Sequence, residues 1–206
     1  MRKIAESTVR RVSLYLRFLE EFQGQGIATI SSDALATRGG TTSAQVRKDL
    51  SCFGSFGKRG LGYPVPELVA NLRDILGLER TYRVVVVGAG KIGSALAQYH
   101  GFGQRGFQVA AVYDADPQKI GADWNGLVVR DVKHLERDLA HDPVDIAILS
   151  TPAAAAAGVS EQLVQSGIRA ILNFAPVQLD VPPTVVVKNV NMALELEALS
   201  YALRNR

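Results

Sequence analysis

Tyr82-Arg83-Val84-Val85-Val86-Val87-Gly88-Ala89-Gly90-Lys91-Ile92-Gly93 decides the architecture of the larger part of the chain. Val84 to Val87 are β-branched and apolar at consecutive positions, so both faces of the segment require burial, as in a parallel strand covered on two sides. Glycines then follow in the spacing G-x-G-x-x-G. Gly88 permits a tight turn, Gly90 lets the backbone approach a pyrophosphate, and Gly93 allows a helix to pack closely on the strand, with the diphosphate meeting the amides at the helix start. The spacing alone is weak evidence. A strand before it and an amphipathic helix after it, through Ala95, Leu96 and Tyr99, make Gly88 to Gly93 a candidate dinucleotide-binding turn.

Working outward, a second strand from Phe107 to Tyr113 ends in Asp114, 21 positions beyond Gly93. An acid there accepts hydrogen bonds from an adenosine ribose diol and repels a 2′-phosphate, which favours NAD(H) over NADP(H). The same acid would alternatively cap the Asp116-Pro117 turn. Alternation continues with a helix near Asp131 to Ala140, a strand Val144 to Leu149, a helix Ala153 to Ser166, and strands Ala170 to Leu172 and Thr184 to Val187. The expected fold is α/β, with a Rossmann-type doubly wound parallel sheet. Ser150-Thr151-Pro152 and Asn173-Phe174-Ala175-Pro176 lie just past strand C-termini, the edge where such sheets bind ligands; each segment equally fits an ordinary turn.

The first 80 residues read differently. From Val9 to Phe22 apolar side chains recur at helical spacing, at Val12, Tyr15, Leu16, Leu19 and Phe22, until Gly24-Gln25-Gly26 breaks the pattern. Ser31-Ser32-Asp33 offers N-cap oxygens to a short helix through Ala34, Leu35 and Ala36, which Gly39-Gly40 ends. Thr42-Ser43-Ala44-Gln45 then fits a capping box, the hydroxyl serving the N3 amide and the Gln side chain reaching back to the cap, so residues 43 to 53 are expected to be helical. Val46, Leu50 and Phe53 fall on one side; Ala44, Lys48 and Ser51 fall opposite, with Arg47 and Gln45 on the flanks. This is a helix-turn-helix pattern. Arg and Lys suit guanine and Gln suits adenine in a major groove, so Thr42, Ser43, Gln45, Arg47, Lys48 and Ser51 are candidate DNA contacts, although an ordinary solvated helix presents the same face.

Gly54 to Tyr63 sets four glycines around Lys58-Arg59, which reads as a tight β-hairpin, a wing with two cations at its tip. Arg59 on such a hairpin suits a minor groove, with Lys58 beside it; a plain hairpin with a polar tip is the alternative. Pro66 at a first helical position, then Leu68, Val69, Leu72, Ile75 and Leu76, outline a closing helix that Gly77 ends.

Charge divides at the same place. Residues 1–80 carry 12 basic and 8 acidic side chains, the remainder 11 and 12. Between Arg38 and Arg59 five basic residues face one acid, Asp49, a balance suited to a polyanion or to a solvated surface. A 206-residue chain with 47% hydrophobic and 21% charged residues is neither disordered nor fibrous. One cysteine, Cys52, excludes an intramolecular disulfide, and neither a signal-peptide core nor a run of about 18 apolar residues is present, so a cytoplasmic protein without a membrane partner is expected. The last helix, from Met192 to about Arg204, carries Leu194, Leu196, Leu199, Tyr201 and Leu203, more apolar surface than one exposed face needs. Packing against a second subunit is expected, and a two-fold dimer would present two recognition helices about 34 to 36 Å apart.

Val46-Arg47-Lys48-Asp49-Leu50-Ser51, Phe53-Gly54, Arg59-Gly60-x-Gly62-Tyr63 and Asn173-Phe174-Ala175-Pro176 together resemble the bacterial redox-sensing repressor family Rex, over almost the whole chain. The resemblance implies a homodimer with swapped C-terminal helices that binds inverted-repeat, double-stranded operator DNA and releases it when NADH rather than NAD⁺ binds. It implies Arg47 and Lys48 in the major groove, Arg59 in the minor groove, and the Thr151 and Asn173 loops near the nicotinamide. It also implies redox coupling through Arg17, Tyr99 and the residue opening the terminal helix. That residue, usually Asp in the family, is Asn191, and the next, usually aromatic, is Met192. An Asn cannot form a charged pair with Arg17, although its amide can bond the Tyr99 hydroxyl.

The expected organisation is therefore a winged-helix domain over residues 1–78, a Rossmann-type domain over 79–190 and a dimerisation helix over 191–206. The rival is an NAD-dependent dehydrogenase with a helical extension. Against it, placing the sheet leaves no residues for a substrate domain, and His100, His134 and His141 sit in or beside polar helices. No catalytic residue, metal site or small-molecule substrate is expected. A third possibility is a DNA-binding protein whose glycine turn holds another nucleotide, such as coenzyme A.

Overall fold

The computed structural model describes residues 4–58 and 60–205, so the wing-tip position Arg59 lies outside the described residues. Contacts divide the chain into two compact units, Met1–Arg80 and Thr81–Arg206.

The first unit is helical. α1 (Glu6–Gly24) runs beyond the expected span at both ends and buries Val12, Tyr15, Leu16 and Leu19. After β1 (Thr29–Ile30) come α2 (Ser32–Gly39) and α3 (Ser43–Ser51), joined through Gly40 in the left-handed region. β2 (Tyr63–Pro64) and α4 (Val65–Ile75) complete it. Leu35, Val46, Leu50, Leu68 and Leu72 meet the α1 residues in one core. Burial of each such leucine is worth about 1.5–3 kcal/mol.

Three expectations change. α3 stops at Ser51 rather than residue 53. Among the described residues, the hairpin expected over Gly54 to Tyr63 shows no strand ladder. Lys58 and Gly62 make one isolated bridge, the Leu61 amide donates to the Lys58 carbonyl at 3.0 Å, and Tyr63 pairs with Ile30 instead. A glycine-rich segment weakens a ladder, and β2 pairs with β1 rather than extending the Lys58–Gly62 bridge. Finally, Val65 takes the first helical position and Pro66 the second, because the Val65 amide has a partner in the Ala28 carbonyl at 2.9 Å.

The second unit is the doubly wound sheet. In chain order it contains β3 (Tyr82–Val87), α5 (Lys91–Ala97), β4 (Phe107–Asp114), β5 (Asp123–Trp124), β6 (Leu127–Asp131), α6 (Leu135–His141), β7 (Ile146–Leu149), α7 (Ala153–Gln165), β8 (Ala170–Asn173), β9 (Val186–Asn189) and α8 (Met192–Arg204). The strand order is β5-β6-β4-β3-β7-β8-β9, parallel except for β5. β3 lies centrally, and its side chains alternate between two cores. Val84 and Val86 meet Val112 and Ile148 on one face; Val85 and Val87 meet Leu135, Leu163 and Ile168 on the other. That is why the run of valines shows no polar alternation.

The β5–β6 hairpin was not anticipated. Its turn, Asn125-Gly126, has φ of 56° and 89°, the dipeptide that favours a tight hairpin, and the signal was in the sequence. The expected helix from Asp131 shortens to α6 behind a 3₁₀ turn, Val132–His134, since Asp131 ends β6. The last strand begins at Val186, not Thr184, and β7 begins at Ile146, not Val144.

Candidate nucleic-acid interface and dinucleotide cleft

In the first unit, local capping fixes both helices of the turn. Ser31 Oγ accepts the Ala34 amide at 3.1 Å, and Thr42 Oγ1 accepts the Gln45 amide at 3.1 Å. The reciprocal half of the capping box is absent. Gln45 Nε2 donates to Asp49 Oδ1 at 2.8 Å instead of reaching back.

Asp49 is the residue sequence reasoning misjudged. It was counted in the local charge balance of the basic segment; it is 1% exposed. Arg11 grips it from α1, Nε to Oδ2 at 2.6 Å and Nη2 to Oδ1 at 2.7 Å, and the Tyr15 hydroxyl donates to Oδ2 at 3.0 Å. Burial pushes the Asp49 carboxyl upward, but hydrogen bonds from Arg11, Gln45 and Tyr15 and the Arg11 charge outweigh it and hold the group below its ordinary value. Burial, then the Asp49 bond and charge, push the Tyr15 hydroxyl up to about 12. Asp49 follows Val46 by three positions, about 60° around the helix, which already placed it on the core side.

With Asp49 turned inward, the outer face of α3 carries no acid. Lys48, Arg47 and Ser51 are exposed, as is the cap Thr42, while Ser43 and Gln45 are half-buried. Arg47 Nη1 donates to Ser32 Oγ at 2.8 Å. Arg47 and Lys58 line one groove of about 640 Å³ with Ser31, Ser32 and Tyr63, between the start of α2 and the wing.

In the second unit a cleft of about 630 Å³ opens where the sheet order reverses, between the loops after β3 and β7. Gly88, Gly90, Ile92, Asp114, Thr151, Pro152 and Phe174 line it. Ala89, Lys91, Gly93 and Asn173, also expected there, do not. Gly93 instead packs against the turn: a Cβ on it would lie 1.8 Å from the Gly88 carbonyl oxygen. Asn173 is 1% exposed; its Nδ2 donates to the Val177 carbonyl at 2.8 Å and Asn189 Oδ1 at 2.9 Å, and its Oδ1 accepts the Ala175 amide. It shapes the loop that presents Phe174. Ser150, expected at this edge, and Asp116, expected only in a turn, line the cleft too, as do Lys119 and Val132, which the sequence did not single out.

Asp114 is 9% exposed, and its carboxylate caps the turn that follows, the alternative the sequence offered. Oδ1 accepts the Asp116 amide at 2.8 Å, capping the turn, while Oδ2 faces the glycine turn and accepts the Ala89 amide at 2.5 Å. Burial raises its pKa, but these amides and Lys119 lower it further than burial raises it, so the carboxylate is charged.

Two observations fit the cleft to a dinucleotide. Gly90 has φ −80°, which any residue adopts, and a Cβ there would meet no atom within 4 Å, so the fold itself does not demand glycine. Thr151 Oγ1 is buried without a hydrogen-bond partner. A buried polar atom left unpaired is unfavourable unless a ligand or water meets it.

A second groove, about 480 Å³, lies at the base of α8 and includes Asn191 and Met192; Ile92, Phe174 and Pro176 line both it and the cleft. Asn191 Oδ1 caps α8 through the Ala193 amide at 3.0 Å. Tyr99 is exposed, edge-on to Phe102 at 5.1 Å, and Arg17 is exposed on α1. His100, His134 and His141 are exposed, and no cluster that could hold a metal ion occurs among the described residues. No helix among them is long and apolar enough to cross a membrane.

A winged helix-turn-helix with a basic outer helix, followed in the same chain by a Rossmann-type sheet with a nucleotide cleft, defines a DNA-binding regulator with its own nucleotide domain. A family described as CoA binding domain matches residues 79–177, and one described as putative DNA-binding protein N-terminus matches residues 3–51. The chain is 47% identical over 202 residues to the redox-sensing transcriptional repressor Rex of Carboxydothermus hydrogenoformans, covering 98% of this chain and 97% of that one. It is 45% identical to the Rex of Thermus thermophilus, covering 98% and 95%. The crystal structure of RSP in complex with beta-NAD⁺ and operator DNA superposes with a TM-score of 0.93 at 38% identity, covering 100% of this chain and 94% of that one. RSP in complex with beta-NADH gives 0.89 at 36%, covering 100% and 96%. This chain belongs to the Rex family of redox-sensing transcriptional repressors.

Proposed function

We propose that this chain represses transcription as a homodimer bound to an inverted-repeat operator, and that NADH, held in the cleft at the β3–β7 switch point, weakens that binding more than NAD⁺ does. The observation that carries the reading is the pairing of a basic recognition helix with a cleft that shares Ile92, Phe174 and Pro176 with the groove under the exposed α8. Solved complexes of RSP with NAD⁺ and operator DNA and with NADH support it.

Arg47, Lys48 and Ser51 meet the major groove, with Thr42, Ser43 and Lys58 on the phosphate backbone and Arg59 in the minor groove. Gln45 contributes less than its sequence position suggests, because Asp49 holds its amide. In the cleft, Gly88 and Gly90 admit the diphosphate, Asp114 faces the adenosine ribose, and Thr151, Pro152 and Phe174 surround the nicotinamide. Arg17, Tyr99 and Asn191 pass the redox state to the DNA-binding unit, with Asn191 acting through a neutral amide. Its kinship with transcriptional repressors favours a sensor that turns over no substrate and works in the cytoplasm.

Sensing requires only differential affinity: NADH must favour the state that DNA disfavours, and operator must weaken NADH binding by the same factor. Gel-shift titration with NADH and NAD⁺ tests this, with Asp114→Arg as control. That variant should bind operator and ignore NADH. Operator affinity indifferent to NADH in the unaltered chain sinks the proposal, and calorimetry showing coenzyme A bound in preference to NADH would replace it.

A further inference from the structure

At the adenosine end of the cleft, Asp114 is not the only charge. Lys119 Nζ lies 3.4 Å from Asp114 Oδ2 and 3.6 Å from Asp116 Oδ2, and it is the one cation lining the cleft among the described residues. The turn puts it there. The Asp116 carbonyl accepts the Lys119 and Ile120 amides at 3.0 and 3.2 Å, and Asp116 Oδ1 accepts the Gln118 amide at 3.0 Å, which folds the segment back so that Lys119 overhangs both carboxylates. Asp116 and Lys119 side chains are each 39% exposed, so both can rearrange around a ligand, whereas the Asp114 side chain, 11% exposed and held by two amides, cannot. One cation shared by two anions leaves a net negative charge where a ribose 2′-substituent arrives.

We propose that Asp116, by holding Lys119, is a second determinant of ribose selectivity. With Asp116 charged, Lys119 stays neutralised and a 2′-phosphate meets net negative charge; with Asp116 uncharged, Lys119 turns to the phosphate and the site accepts 2′-phosphorylated adenosine ligands. The inference rests on reading the cleft as a dinucleotide site. It goes beyond the repulsion by Asp114, because it makes selectivity depend on a lysine that would otherwise favour the phosphate.

The test is calorimetry on the full chain with ADP-ribose and 2′-phospho-ADP-ribose, which share the adenosine end and lack nicotinamide. Asp116→Asn keeps Oδ1 for the Gln118 amide, so the turn survives. It should raise the affinity ratio of phosphorylated to unphosphorylated ligand about fivefold, the size of a partly exposed ion pair. High salt should shrink that rise, which a merely structural effect would not show. With Lys119→Met already present, Asp116→Asn should change the ratio by less than about twofold. A ratio unmoved by Asp116→Asn, or a rise of equal size without Lys119, overturns the proposal. If the sensing function alone were wrong, these ratios would still shift while NADH left operator binding unchanged. Failure of the chain to bind either compound would overturn both.

Discussion

Arg11 and Asp49, 38 residues apart, form a two-pronged ion pair that fastens the recognition helix to α1, Nε to Oδ2 at 2.6 Å and Nη2 to Oδ1 at 2.7 Å. Arg11→Ala leaves a buried carboxylate with only Tyr15, Gln45 and Thr8 to satisfy it. A loss of about 3 kcal/mol in the stability of the first unit is expected, with weaker operator binding, and Asp49→Asn should lose less because the charge it leaves unpaired, Arg11, is 31% exposed and reaches water. Denaturant unfolding of both variants, followed by gel shift, measures the two effects; equal stability of Arg11→Ala and the unaltered chain would refute the role.

The same cluster gives a pH dependence with two limbs. Asp49 has a lowered folded pKa, so its contribution is present above the unfolded value of about 4 and is lost as pH falls through the folded one. Tyr15 has a folded pKa raised to about 12, so its contribution is complete below about 10 and is lost as pH rises toward 12. Circular dichroism melts between pH 3 and 11 should show a plateau from about 5 to 9. Tyr15→Phe should flatten the alkaline limb.

Gly90 and Gly93 should separate binding from folding. Gly93→Ala forces a Cβ to 1.8 Å from the Gly88 oxygen and 2.7 Å from Ser150 Oγ, so the sheet unit should lose several kcal/mol or fail to fold. Gly90→Ala meets nothing within 4 Å, so its melting temperature should hold within about 0.5 kcal/mol of stability while NADH affinity falls about tenfold or more. A Gly90→Ala chain that binds NADH normally would show that the diphosphate does not pass over this turn.

Lys48 is exposed on the outer face of α3. Lys48→Ala should weaken operator binding and lower the slope of log affinity against log salt by about one if it meets a phosphate. A base contact would instead relax sequence preference, and competition with altered operators distinguishes the two.

α8 exposes Met192, Leu194, Leu196, Leu199, Tyr201 and Leu203, from 58% to 73% each, and buries no residue within one chain. Leu196→Glu with Leu199→Glu should therefore convert a dimer to monomer in sedimentation and abolish tight operator binding. A monomeric unaltered chain would refute this.

The legible parts of the molecule were those governed by neighbours in sequence. A valine run and three glycines specified the strand, turn and helix of the cleft, and hydroxyls before short apolar patterns specified the caps at Ser31 and Thr42. Asn125-Gly126 was equally legible and went unread. The wing was less so, because the partner of Tyr63 is Ile30, far back in the chain, and no local pattern states that pairing. Asn173 was expected beside the ligand because it lies just past a strand at the right edge; only the positions of Val177 and Asn189 reveal that its Nδ2 is held by the protein.

From the sequence by itself came the two-part organisation, the basic helix and the glycine turn, since periodicity, capping and φ preference act over a few residues. Tertiary structure alone decided which partners the charged groups meet. Asp49 turns inward to Arg11, and Lys119 folds over Asp114 and Asp116. Charge has no periodicity of its own: its effect depends on distance and burial, and both exist only once separate elements are packed together.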